Sequence, residues 1–493
     1  MRIPRTLMLC AAPAALAGCT AGLGGTTPVV PGQAAPISQA ERQQGTQARD
    51  DIIAEYGGVY ENAQAQAIAE RVGQRIAVQS GLSADPDTFT VTVLDSPVNN
   101  AFATPGGYVY VTRGLMALMN DEAELAAVLG HEVAHVAARH SQKRQQATQT
   151  NSVLGALGQV LAGAVLGNSA LGQIGSQIAG TGAQLATLGY SRSQESQADR
   201  LAVQYLKSAG YDTDALASML TSLADQQALD QRISGETRSV PEWASTHPNS
   251  SDRIRAAITE ARQAGGTELA RNPAPYLAAI DGILYGDNPA QGVIRGRDFL
   301  HPKLGIAFTV PQGFTMNNGA QAVTITGPNI QALFGTGSYS GSLDTYIGKV
   351  LQGLGTGASV PSGQVRRTTV NGIPAAYTQV RANTQQGQVD VTVFAYETSP
   401  NRAYHFVVLT PAGQGLGQAT SLVESFRKLS QQEAAAIDAK RVDIVTVGSG
   451  QTVSSLAGRM AFDDYQQQRF LVLNGFPEGV TLKSGQKVKI VTE

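Results

Sequence analysis

The sequence predicts a multidomain chain in three parts. They are a mainly α domain with a small β-sheet over about residues 46–286, an α+β domain over about 300–430, and a small βααβ module over 441–493. Three observations predict it. At 493 residues the chain is too long for one hydrophobic core. Apolar residues recur at three- and four-residue spacing through the first part, then give way beyond Gly286 to alternating runs rich in β-branched and aromatic residues. The C-terminal stretch places two short strand-like runs, Ile444 to Val447 and Leu482 to Ile490, around helical segments.

Composition narrows the function. Hydrophobic residues make up 42% and charged residues 15%, a globular balance. The formal net charge of −2 gives no electrostatic reason to bind nucleic acid, and no nucleic-acid partner is expected. Both cysteines, Cys10 and Cys19, lie near the N-terminus, so no structural disulfide is available to the body of the chain.

The elements follow in order. Arg2 and Arg5 precede an apolar stretch, Leu7 to Leu16, which is too short for a mature membrane span and reads as a signal peptide over 1–18. Leu16-Ala17-Gly18-Cys19 resembles a bacterial lipobox. That resemblance implies lipidation of Cys19 and, with Thr20 next to it, an outer-membrane lipoprotein facing the periplasm. An ordinary signal peptide would export the chain as well. Residues 19–45, rich in Gly, Pro, Thr, Gln and Ala, read as a lipidated flexible tether. Ile52, Ile53, Tyr56, Ile68, Val72 and Ile76 have helical spacing, and Thr88 to Leu94 alternates as a strand. Asn99 to Ala103 and Tyr108 to Val111 flank Thr104-Pro105-Gly106-Gly107, the composition of a hairpin turn.

A well-marked helix comes next. Asp121 and Glu124 fit a capping box, and Leu125, Val128, Leu129, Val133 and Val136 continue at helical spacing. Within it, His131-Glu132-Val133-Ala134-His135 puts two imidazoles one turn apart on one face, close enough to share a tetrahedral cation. Glu132 is rotated off that face, where it reaches a water on the metal rather than the metal itself and can act as general base. One Zn2+ per chain is expected. A third histidine is not found at the spacing seen in metzincins, since Ala138 and Ser141 stand there, and His140 reads as a solvated helix residue. Glu195 is the best remaining ligand. Asp199 lies one turn beyond it, placed to accept a ligand histidine's free ring proton.

The set Asn100-Ala101-Phe102, Pro105 to Leu115, His131 to His135, Ser191-Arg192 with Glu195 to Asp199, and Thr246-His247-Pro248 to Arg253 resembles the gluzincin family that includes the CAAX prenyl endopeptidases and the heat-shock protease HtpX. Within it, the match is to the periplasmic beta-barrel assembly-enhancing branch. The resemblance covers about residues 46–285 and implies a mostly helical zinc endopeptidase acting on unfolded or misassembled envelope proteins. The tetratricopeptide repeats common in that branch have no counterpart here, because no 34-residue helical period follows residue 285.

Several roles follow as expectations. His247 and Arg253, by family position, are candidates to stabilise the developing oxyanion. His247 has a rival role as a latch that takes the water's place on the metal, and the sequence leaves the two open. Substrate is expected to add as a strand along Asn99 to Ala103, which makes Asn100, Ala101 and Phe102 the substrate-binding candidates. Residues 145–191 hold nine glycines and no charged side chain. A helical lid, a membrane-surface contact and a plain linker all remain open for them.

The α+β domain resembles the PsbP type and contains no catalytic constellation; His301 and His405 there read as structural. Residues 441–493 resemble a LysM module, which implies peptidoglycan as a partner. Against the envelope protease stands one alternative: a catalytically latent or silent chaperone-like scaffold bound to the cell wall.

Overall fold

The computed structural model describes residues 29–143, 190–234, 243, 247, 251–354, 365–384 and 387–493. The signal peptide with Cys19, and the glycine-rich stretch 145–191 apart from its last two residues, lie outside the described residues.

Helix α1 (Gln39–Glu55) starts at a capping box in which Ser38 and Glu41 satisfy each other's backbone N–H groups. Helix α2 (Ala63–Ala77) is capped by the Asn62 side chain and buries Ile68, Val72 and Ile76, the positions the spacing picked out. Strands β1 (Thr90–Leu94), β2 (Ala101–Thr104) and β3 (Tyr108–Thr112) form a sheet in the order β1-β3-β2. β2 and β3 are the expected hairpin, paired from Ala101 with Val111 to Thr104 with Tyr108. Its turn needs glycine: Gly106 has φ +92°, and a Cβ there would come within 2.7 Å of the Arg42 backbone on α1. β2 is the outer strand, so one of its edges is not covered by the sheet.

After α3 (Arg113–Leu118) comes α4 (Glu122–Ala137), the helix on which the site is built. Its cap differs from the expected box. The Asp121 carboxylate accepts from Glu124 N–H at 2.9 Å, but the Glu124 carboxylate reaches past Asp121 to Asn120 N–H at 2.8 Å. Nearly every residue of α4 is buried, because α2, α5 (Arg192–Ala209) and α6 (Ala215–Ser234) pack around it. Helices α7 (Ser251–Ala264) and α8 (Pro273–Ile280) complete this body.

The sheet-rich region opens with β4 (Val293–Arg295), β5 (Asp298–His301), β6 (Ile306–Thr309), β7 (Thr315–Asn318), β8 (Val323–Gly327) and β9 (Ile330–Thr336). Helix α9 (Leu343–Gly353) follows, then β10 (Arg366–Val370), β11 (Ile373–Thr384), β12 (Gly387–Ser399), β13 (Arg402–Pro411), the short α10 (Thr420–Glu424) and β14 (Arg427–Lys428). Seven strands make one sheet, β10-β11-β12-β13-β9-β8-β7, and β14-β6-β5-β4 make a second. Helix α9 covers one face of the larger sheet with Tyr346, Ile347 and Leu351; the other face carries an aromatic core of Phe299, Phe308, Phe334, Phe394, Phe406 and Phe426.

After the short α11 (Gln431–Ala435), the chain runs β15 (Arg441–Thr446), α12 (Val453–Ala457), α13 (Gln466–Leu473) and β16 (Lys487–Thr492), with β15 and β16 antiparallel. This unit is stitched to the helical body. Gly282 N–H donates to Val442 O at 2.8 Å, Val442 N–H returns to Ile283 O at 2.9 Å, and Val442 belongs to the helical body's core. Among the described residues, no helix is long and apolar enough to cross a membrane.

Candidate metal centre

The helical period of α4 turns His131 and His135 toward α5, where the same period presents Glu195 and Asp199 one turn apart. Helix α5 is capped close to the site: Ser191 and Gln194 form a capping box that starts it four residues before Glu195. His131 Nε2 and His135 Nε2 lie 3.0 Å apart, and a Glu195 carboxylate oxygen stands 3.5 Å from each. His247 Nδ1 lies 2.9 Å from Glu195 Oε1 and 3.3 Å from His131 Nε2. One ligand atom from each of these four buried residues falls within 4.8 Å of all the others.

The chemistry of this set fits a cation. Each ring's other nitrogen is already engaged: His131 Nδ1–H donates to Asp199 Oδ1 at 2.9 Å, and His135 Nδ1 pairs with His140 Nδ1 at 2.9 Å. With both rings neutral, the two Nε2 atoms would face one another with lone pairs, a repulsion that a cation at this point relieves, whether a metal ion or a proton on His131. Two imidazoles and one carboxylate make a recurrent catalytic zinc set, with a fourth position left for water or substrate.

Behind the ligands the supports are unequal. Asp199, beneath His131, receives a bidentate fork from Arg253, Nε to Oδ2 at 2.7 Å and Nη2 to Oδ1 at 2.8 Å. Arg253 Nη1 also lies 2.7 Å from Glu195 Oε2. His135 is supported by neutral groups, His140 and, through its Nε2, Gln197 Oε1 at 3.0 Å. Tyr190 stacks on the His135 ring at 3.8 Å.

Electrostatics follow from burial and these partners. Burial opposes a charge on His131, but Asp199 and Glu195 outweigh it and raise the ring to about 9. Against the same cost of burial, His247 and His131 hold the Glu195 carboxyl well below the usual range. Asp199 is also lowered despite its burial, chiefly by Arg253. Glu132 moves the other way: burial lifts its carboxyl, and His247 and His131 only partly offset that. A carboxyl raised toward neutrality beside an anionic ligand set is suited to general-base work. Glu132 Oε1 accepts from Trp243 Nε1–H at 3.3 Å and lies 3.5 Å from His247 Nε2, so it faces the donor set from the side.

The remaining candidates fall as follows. Arg253 directs its guanidinium donors to Asp199 and Glu195. Asn100, Ala101 and Phe102 are all buried; the Asn100 amide donates to Tyr56 Oη at 3.1 Å, and Phe102 stacks on Tyr110. Recognition along β2 would thus use its main chain. Just before β2, Asn99 O accepts from Trp243 N–H at 3.2 Å.

His140 corrects the sequence reading. It is fully buried, not solvated, because α4 ends at Ala137 and Arg139 takes a left-handed φ of +51°, which folds the chain back and brings the His140 ring beneath His135. Arg139 is held in that turn by Glu41 at 3.2 Å and by Ala35 O at 2.9 Å. Neither glycine nor asparagine stands there to mark such a turn in the sequence. Trp243 and Tyr190 were also missed; as the only tryptophan in the sequence, Trp243 offered composition but no spacing. His301 and His405 are buried in the sheet region, where His405 Nδ1 pairs with Tyr346 Oη at 2.8 Å.

Residues 63–261 match Peptidase family M48. The chain is 32% identical over 211 residues to the putative beta-barrel assembly-enhancing protease of Vibrio cholerae, covering 42% of each protein. It is 29% identical over 167 residues to the beta-barrel assembly-enhancing protease of Escherichia coli K12, covering 33% of this chain and 32% of that one. To the mitochondrial metalloendopeptidase OMA1 of Schizosaccharomyces pombe it is 30% identical over 217 residues, covering 44% of this chain and 59% of the relative. The chain thus spans less than half the length of the two bacterial relatives.

Proposed function

We propose that this chain, whose residues 63–261 belong to peptidase family M48, is a zinc-dependent endopeptidase that hydrolyses unfolded or misassembled proteins of the bacterial envelope. The observation that carries the reading is the convergence of His131, His135 and Glu195 on one buried point with Glu132 beside it. The names of the bacterial relatives support the substrate class.

A zinc ion held by His131, His135 and Glu195 would supply Lewis acidity toward a water and a scissile carbonyl. Glu132 takes the proton of the attacking water at its carboxylate and delivers it to the leaving amine. Asp199 keeps His131 in the tautomer that leaves Nε2 free, and Arg253 holds Asp199 and Glu195 in place, a positioning role rather than an oxyanion one. His140 and Gln197 do the same for His135. The substrate strand would lie along the β2 edge, read by its main chain at Asn100 to Phe102.

For His247 the geometry favours the latch. Its Nδ1 sits inside the donor set, and its ring stacks on Trp243, whose indole N–H donates to Glu132 and whose main-chain N–H donates to Asn99 O, two residues before β2. Trp243 and His247 therefore reach the metal site, the base and the approach to β2 together. Lipidation of Cys19, outer-membrane anchoring and peptidoglycan binding by residues 441–493 complete the proposal, and they rest on the sequence resemblances.

The test is hydrolysis of a fluorescently labelled unfolded protein by the full chain. Cleavage should stop with a zinc chelator and return on adding zinc, and His247→Ala should raise it. Cleavage that ignores the chelator removes the metallopeptidase reading. A chain that binds unfolded protein without ever cutting it is the scaffold alternative. Loss of activity in His247→Ala removes the latch.

A further inference from the structure

We propose that Lys489 is a positioning residue for the metal helix: its ammonium holds the junction between α3 and α4, which makes the C-terminal unit part of the peptidase body. The proposal rests on the peptidase reading above.

Helix α3 is six residues long, and the last carbonyls of any helix lack a partner within it. Lys489 lies on β16, far away in sequence, and is completely buried. Its Nζ donates to Ala117 O at 2.8 Å, Leu118 O at 3.0 Å and Met119 O at 2.7 Å. Three donors on three carbonyls use the whole capacity of an ammonium group. They do so where a helix end concentrates negative partial charge. A lysine at this position is not explained by packing, since methionine would fill similar space without burying a charge.

The junction it holds is where the metal helix begins. Asp121, the cap of α4, follows Met119 by two residues, and α4 then runs without a break to His131 and His135. The charged groups that face Lys489 are Asp121 and Glu124, both also held by Arg271, at 2.6 and 3.2 Å; Arg271 reaches Asp212 as well, at 3.4 Å. Ser218 on α6 and Asn120 add hydrogen bonds to Glu124. Two cations from different parts of the chain thus hold the start of α4, and one of them comes from the C-terminal unit.

That unit holds Lys489 firmly in turn. Asn474 Oδ1 accepts Lys489 N–H at 2.7 Å, and Asn474 Nδ2 donates to Lys489 O at 2.9 Å. The next residue, Gly475, has φ +62°, and a Cβ there would come within 3.1 Å of Asn120 Nδ2, so the α13 end is pressed against the same junction. A shift of α4 along its axis would move both histidines relative to Glu195 on α5, and displacements of about 1 Å suffice to slow catalysis on the order of 100-fold.

The first measurement needs no variant. In native-state hydrogen exchange of the full chain under rising urea, amides of residues 117–125 and 487–491 should open as one cooperative unit. Opening of 487–491 while 117–125 keeps its protection overturns the proposal. Lys489→Met should speed exchange at 117–125 about tenfold and lower kcat about tenfold with KM within about twofold, and Lys489→Gln, which keeps two donors, should fall between. Unchanged exchange at 117–125 with unchanged kcat in Lys489→Met contradicts it. A wild-type chain that cuts nothing defeats the peptidase reading alone, because the exchange result still decides the clamp.

Discussion

The helical body and the sheet-rich region each bury a substantial core, but they bury different things. Around α4 the interior holds His131, Glu132, His135, His140, Glu195, Asp199 and Arg253 in one connected set, with Glu122, Glu124 and Arg113 nearby. Between β4 and β14 the buried acidic, basic and histidine side chains among the described residues are His301, Asp390 and His405, and the space is filled by aromatic rings packed on one another. Burying a charge costs several kcal/mol unless it is paired. A hydrophobic core would have held the helices together without that cost. The charged interior is therefore where the chemistry belongs, and the sheet region is built for shape.

If that contrast is right, damage in one region should read out in one way only. The largest effect is expected for Glu195→Ala, which removes a ligand and strands Arg253 and His131: zinc affinity should fall on the order of 1,000-fold in a chelator competition, while the sheet region keeps its hydrogen-exchange protection. Phe406→Ala is the converse. This side chain packs fully buried against Phe308 and Phe334, so its loss should destabilise the sheet region by about 3–5 kcal/mol in urea unfolding and leave zinc affinity unchanged.

A pH dependence separates the regions further. Burial pushes the His405 ring down to about 4, so the folded sheet region keeps it neutral while the unfolded chain protonates it near 6.5. Stability from this group is fully present above about pH 6.5 and declines as pH falls toward 4, by up to about 3 kcal/mol. His405→Phe should flatten that slope in thermal unfolding followed between pH 7.5 and 4.5. The smallest effect is expected for His140→Ala, which removes only the support of one ligand: zinc affinity should drop about 10–100-fold by the same chelator competition.

Much of the site could be read from the sequence because it obeys the helical period. His131 with His135 and Glu195 with Asp199 are each four residues apart, and that spacing alone fixes which way they point. The hairpin of β2 and β3 was legible from its proline and glycines. What escaped depended on turns or on distant contacts. His140 is brought into the site by a left-handed arginine, which no sequence signal marks. Strands β4 and β5 have three and four residues, too short for a pattern of alternation to emerge, so the sheet region begins earlier than the expected residue 300. The cap at Asp121 lost half its box because Glu124 found Asn120, Ser218 and Arg271 instead. Lys489 meets α3 across more than 360 residues of chain, a distance at which spacing says nothing.

The proposed division of labour at the centre, with three residues to hold zinc and Glu132 kept free to move a proton, is tested most directly by Glu132→Gln. Zinc content and hydrolysis of an unfolded protein are measured on the same preparation beside wild type. The variant should keep one zinc per chain and lose hydrolysis by a factor of at least about 100. A variant that loses its zinc, or that cuts at the wild-type rate, would contradict that division.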